Sequence, residues 1–149
     1  GTLNHASLAV VSAAIRFIAE WGKGDDLRSS LLDAYRNLGA HEFKLAAALY
    51  EGLKKISGLT LVGQDFANAH RAPTLSFTLD GKTPAQVCRQ LGEKNICAWD
   101  GHFYAIRIAE VLGLLERGGV TRLGLSVYNT LEEVETTIAA IRQIAATPA

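Results

Sequence analysis

Methionine is absent from this sequence, cysteine occurs twice and proline three times, and neither sign of charge is in excess, with 15 acidic and 15 basic residues. Each shortage excludes something. Cys88 and Cys97 are too few for a disulfide framework and their spacing fits no zinc site, so a reducing, cytoplasmic setting is expected. Balanced charge creates no field that would draw in nucleic acid or an anionic membrane. The apolar runs are too short to span a bilayer. With no methionine there is no initiator, and the opening Gly1-Thr2-Leu3-Asn4 shows no signal-peptide pattern. The chain is therefore expected to be a piece of a longer polypeptide. GxGxxG, a Walker loop and HExxH are missing too.

What is present is a length of 149 residues and 48% apolar side chains, enough for a hydrophobic core. Over 5–21, Leu8, Val11, Ile15 and Ile18 fall at helical spacing, while alanine and valine fill much of the opposite face. A helix apolar on most sides is usually covered from two directions. Asn4 or Thr2 is placed to cap it and Gly22 to end it. Residues 25–57 predict one long helix, or two broken at Gly39. A short strand over 59–62 follows, then a polar loop with Asp65, Asn68, His70 and Arg71, read as a surface connection. The alternation of Leu75, Phe77 and Leu79 predicts a strand over 74–79. Thr83 and Pro84 then open a helix that buries Val87 and Leu91. A strand over 96–99, a helix over 103–112, a strand over 121–127 and a final helix capped by Thr130 and Glu133 complete the order.

That order predicts an α+β fold: a small, mainly antiparallel sheet with helices packed on one face, preceded by a long apolar helix. Residues 1–24 read as an interdomain arm and helix, and 25–149 as the small α+β domain. In the strand over 121–127, Leu123, Leu125 and Val127 share one face, and Arg122, Gly124 and Ser126 the other. A guanidinium between small residues leaves room for a carboxylate or phosphate to reach its planar fork. The same pattern also fits a surface arginine on a solvated sheet face. His102 beside Asp100 reads either as an acid–base pair or as a turn-capping pair. Cys97, inside an apolar strand, is expected to be a buried inert thiol.

Three segments carry a family resemblance. Gly1-Thr2-Leu3-Asn4 resembles a G-T-P-N opening. Asp100-Gly101-His102-Phe103-Tyr104-Ala105 resembles a T-G-H-H-C-A segment. The stretch from Thr121 to Val134 resembles an arginine strand followed by Y-N-T-x-E-E. Together, in this order, they resemble the C-terminal small domain of the class V aminotransferases. These belong to fold type I of the pyridoxal phosphate enzymes, which includes the cysteine desulfurases and selenocysteine lyases.

The resemblance implies that Arg122 binds the substrate's carboxylate and that His102 lies in the loop near the substrate. It implies that Thr2, with Gly1, reaches the cofactor phosphate of the neighbouring subunit in a homodimer. Leu3 replaces the family's proline, and Tyr104 stands where a desulfurase has its sulfur-accepting cysteine. The lysine that holds pyridoxal 5'-phosphate would lie in an N-terminal large domain absent from this chain. The chain alone is therefore expected to be inactive and free of cofactor. Its expected partners are an amino-acid substrate, the large domain and a second subunit, with no nucleic acid or membrane. The other reading is a non-catalytic α+β module that binds a small carboxylate or mediates dimerisation.

Overall fold

The computed structural model describes residues 2–67 and 71–147. Gly1, Asn68 and His70, named above, lie outside them. The elements run α1 (His5–Ala19), α2 (Leu27–Leu53), β1 (Leu59–Val62), β2 (Thr74–Leu79), α3 (Pro84–Gly92), β3 (Trp99–Gly101), α4 (Ile106–Val111), β4 (Val120–Gly124) and α5 (Leu131–Ala146). The fold is α+β, as the pattern predicts. The backbone forms two compact units, Gly1–Glu42 and Phe43–Ala149.

In the first unit, the Asn4 side chain accepts the Ser7 N–H at 3.0 Å and caps α1. Ala19 is the buried residue of this helix, whereas Leu8, Val10, Val11 and Phe17 are more than half exposed. The turn into α2 is held by Asp33, whose carboxylate accepts the Lys23 N–H at 2.9 Å. Asn37 adds a bond from its amide to the Trp21 carbonyl. Helix α2 continues through Gly39 without a break, because nothing crowds that exposed position.

In the second unit, four strands form an antiparallel sheet in the order β1-β2-β4-β3. Alternation turns Leu75, Phe77, Leu79 and Leu123 to one face. There they are buried with Leu49 and Leu53 of α2, Val87 and Leu91 of α3, and Val134 and Ile141 of α5. Each such side chain contributes about 1.5–3 kcal/mol of burial free energy. Gly52 of α2 matters here because a Cβ would collide with Ile138 of α5. On the opposite face Ala109 of α4, Leu114 and Val120 form a small second cluster with Val62 and Phe103 packed against it.

Three local predictions shift for identifiable reasons. The strand predicted over 96–99 is β3, displaced to Trp99–Gly101. Asn95 takes φ 59°, and the N–H groups of Asn95 and Ile96 return to the carbonyls of Gly92 and Leu91. This is a Schellman closure of α3, so Ile96 caps a helix instead of pairing in a strand. The helix predicted over 103–112 starts only at Ile106. Phe103 and Tyr104 lie at φ 50° and 62°, and Ala105 N–H donates to the His102 carbonyl at 2.8 Å. Both central residues of this turn are left-handed, as in a type I′ turn, at a cost of about 1–3 kcal/mol each. The strand predicted to reach 127 ends at Gly124, because Asn129 accepts the Ser126 N–H at 2.8 Å and folds the chain toward α5.

The cap of α5 follows the predicted box. Thr130 and Glu133 exchange backbone-to-side-chain bonds, and Asn129 donates its amide to the Glu133 carboxylate at 3.1 Å. The backbone N–H of Thr130, above all, holds the Glu133 carboxyl below its ordinary pKa.

Arg71, read as part of a surface connection, has a structural job. Its guanidinium stacks on buried Phe66 at 4.1 Å and donates to the carbonyls of Gln64, Asp65 and Thr74. Arg71→Ala is expected to lower stability by about 1–3 kcal/mol, and lysine to restore less than half, since it lacks the planar fork. Denaturant midpoints measure this; an unchanged midpoint would show that the loop stands without it.

Candidate functional site around Arg122

Burial decides where Arg122 points. Its neighbours Thr121 and Leu123 are buried at 1% and 5% exposure, so the period of the strand sends Arg122 to the other face. There it is exposed. It lies across from Ser76 of β2 and Trp99 of β3. Beyond it on the same face are Gly124 and its partner Thr74. The open surface expected from small residues is present as a hollow of about 400 Å³, lined by Thr74, Cys97, Ala98, Trp99, Arg122 and Gly124.

The guanidinium does not swing free. Its Cζ lies 3.7 Å from the centroid of the Phe103 ring. Among the described residues it makes no hydrogen bond, and the ion pair formed there is Arg107–Glu110 on α4. Its face is therefore covered while its N–H edges remain available. That arrangement suits a planar anion approaching edge-on.

The other predicted residues fall in different places. His102 is exposed and does not line the hollow. Asp100 forms no hydrogen bond or ion pair with His102 among the described residues, where the ion pair is Arg107–Glu110, so the two do not meet as an acid–base couple. Tyr104 is 97% exposed. Thr2 is exposed ahead of α1.

Cys97 differs from its expectation. It is exposed because Asn95 and Ile96 close α3 and residues 97–98 then run to β3 without entering the sheet. It lines the Arg122 hollow and also a neighbouring cavity of about 510 Å³ that includes Lys94, Leu123, Tyr128, Asn129 and Glu132. Sequence patterning could not locate Cys97 or Phe103. Both depend on left-handed residues, Asn95 and Phe103 itself, that no glycine announces.

Cys88 is half-buried, and burial first, then the Asp100 charge, raises its pKa to about 11. Among the described residues no group of three His, Cys, Asp or Glu side chains could hold a metal ion. No described helix is long and apolar enough to cross a membrane.

Residues 1–137 match the family model described as Aminotransferase class-V. The chain belongs to that family. It is 33% identical over 144 residues to a cysteine desulfurase of Synechococcus elongatus, covering 97% of this chain and 20% of that protein. It is 34% identical over 146 residues to the aminotransferase-like protein FGM3 of Gibberella zeae, covering 95% of this chain and 34% of that protein. Among solved structures, a cysteine desulfurase from Thermococcus onnurineus NA1 has a TM-score of 0.66 at 27% identity. That match covers 80% of this chain and 30% of the solved one. The fold alone is also shared with the cysteine desulfurase CsdA of Escherichia coli, TM-score 0.74 at 22% identity, covering 96% of this chain and 31% of the other. The chain thus spans between a fifth and about a third of the length of these relatives.

The two thiols should be chemically distinct. At pH 8 a thiol of pKa about 11 is ionised to roughly one part in a thousand. A maleimide is therefore expected to label Cys97 promptly and Cys88 slowly. Asp100→Asn should accelerate Cys88 by removing the charge that opposes its thiolate. Mass spectrometry of quenched time points reads both rates; equal labelling of the two sites in the native chain would contradict the arrangement.

Proposed function

We propose that this chain is the C-terminal small domain of a pyridoxal-phosphate-dependent enzyme acting on an amino acid, in which Arg122 receives the substrate's carboxylate. The observation that carries the reading is the exposed guanidinium of Arg122, with unused N–H donors beside a hollow lined by Thr74, Cys97, Ala98, Gly124 and Trp99. Family membership supports it. In this reading residues 1–24 form the arm and helix leading from a large domain, and 25–149 the small domain. The exposed apolar side chains of α1 are then the surface that the large domain covers.

Within the chain, the residues do not make a cofactor site by themselves. Five of the six lysines are exposed and Lys82 is half-buried, so none sits in the desolvated pocket that covalent cofactor attachment requires. The contributions proposed for this chain are therefore at the margins of such a site. Arg122 holds and orients the carboxylate end of the substrate, His102 stands in the adjoining turn, and Thr2 with Gly1 reaches the cofactor phosphate across a homodimer. Tyr104 presents a phenol, which cannot carry a persulfide, so sulfur transfer through that position is not part of the proposal.

Two measurements test this reading. Pyridoxal phosphate added to the 149-residue chain and reduced with borohydride is expected to leave no stoichiometric adduct on any one lysine; such an adduct would overturn the assignment of the cofactor lysine to another domain. In the longer enzyme, Arg122→Ala is expected to weaken amino-acid binding by about ten- to a hundredfold, the loss of a charge-assisted bidentate contact of about 1.5–3 kcal/mol. Lysine should restore only part. Substrate titration followed by cofactor absorbance reads the effect, and unchanged affinity with full cofactor loading would remove Arg122 from the site.

A further inference from the structure

Two arginines in the sheet-bearing unit stack on phenylalanine rings, and they use their donors in opposite ways. Arg71 lies on Phe66 at 4.1 Å and directs its N–H groups to three backbone carbonyls. It ties a loop down. Arg122 lies on Phe103 at the shorter distance of 3.7 Å and, among the described residues, gives no N–H to any acceptor. A stack on an aromatic face restrains a guanidinium through its π surface and leaves the edge donors free. It is a way to fix an arginine in place without occupying the groups that would bind a ligand.

Phe103 is itself fixed. Its ring packs against the cluster of Ala109, Leu114 and Val120. Its backbone lies at φ 50°, followed by Tyr104 at φ 62°, in the turn closed by the bond from Ala105 N–H to the His102 carbonyl. Neither residue is a glycine, so the conformation is held against its intrinsic preference. Such backbone persists where the surroundings over-determine it. The outcome of the turn is specific: Tyr104 goes fully into solvent, while Phe103 goes beneath Arg122.

We propose that Phe103 is a positioning residue for the Arg122 site. Its ring holds the guanidinium in one orientation over the hollow, with its N–H edge presented to a planar carboxylate. An unrestrained arginine on a sheet face samples many rotamers and loses that freedom on binding. Restraint in the free protein removes part of that loss. The proposal rests on the reading of Arg122 as a carboxylate anchor and adds the residue that sets its geometry.

The experiment uses the 149-residue chain, proton–nitrogen NMR of the arginine Nε–H groups, and acetate as probe against a chloride control of equal ionic strength. In the wild type, the Arg122 Nε–H resonance is expected at an upfield, ring-shifted position, and acetate is expected to move it saturably. Phe103→Leu keeps an apolar side chain for the Ala109–Leu114–Val120 cluster and removes the π face. It should abolish the ring shift and weaken acetate binding about two- to fivefold, the loss attached to an exposed cation–π contact. Phe103→Tyr should retain both. A resonance without ring shift in the wild type, or equal acetate affinity in wild type and Phe103→Leu, would overturn the proposal. A ring-shifted resonance that acetate fails to move would instead show that Arg122 is not a carboxylate anchor. The positioning role then falls with that reading while the stack stands. Should Phe103→Leu not fold, the wild-type ring shift and the binding retained or lost in Phe103→Tyr decide the matter.

Discussion

The sheet-bearing unit depends on the two-residue period of β4. Thr121 and Leu123 must be buried against the helical layer, so the residue between them can only face outward. A shift of one residue in the pairing with β2 would bury a guanidinium and expose a core leucine. The hydrophobic face thus fixes the register, and the register places the cation. Close approach at the start of the strand adds a second constraint: a Cβ on Gly119 would collide with the backbone of Gly101, so β3 can lie beside β4 only because that position is glycine.

The chemistry around the exposed arginine follows from secondary structure that ends early. Helix α3 closes through Asn95, α4 begins late after two left-handed residues, and β4 stops at Gly124. The chain between α3 and β3 supplies the Cys97 thiol, and the turn before α4 the Phe103 ring, to the neighbourhood of Arg122. In a sheet of full-length strands both would be elsewhere. The open hollow is therefore a product of local termination as much as of the small residues on the strand face.

Much of this was legible in the residues. The element order, the caps at Thr83 and Thr130 and the outward direction of Arg122 all follow from periodicity and capping chemistry, which are local. The places that departed from expectation share a cause. Ile96 looks like a strand residue because it is apolar, yet it meets Leu91 in a helix cap; Phe103 looks like the first turn of a helix, yet it turns left-handed. Cys97 was expected to be buried because its neighbours are apolar, and it is exposed because they are not paired. The stacking of Arg71 on Phe66 leaves no periodic trace at all, since loop contacts have no repeat to reveal them.

The junction between β4 and α5 has a mechanical meaning. Asn129 accepts from Ser126, just beyond the strand, and donates to Glu133 in the first turn of the helix. One amide side chain thereby links the residues that follow β4 to the first turn of α5. The chain leaving the strand that bears Arg122 therefore enters the final helix along a path set by side-chain hydrogen bonds, with no glycine or proline between Leu125 and Thr130.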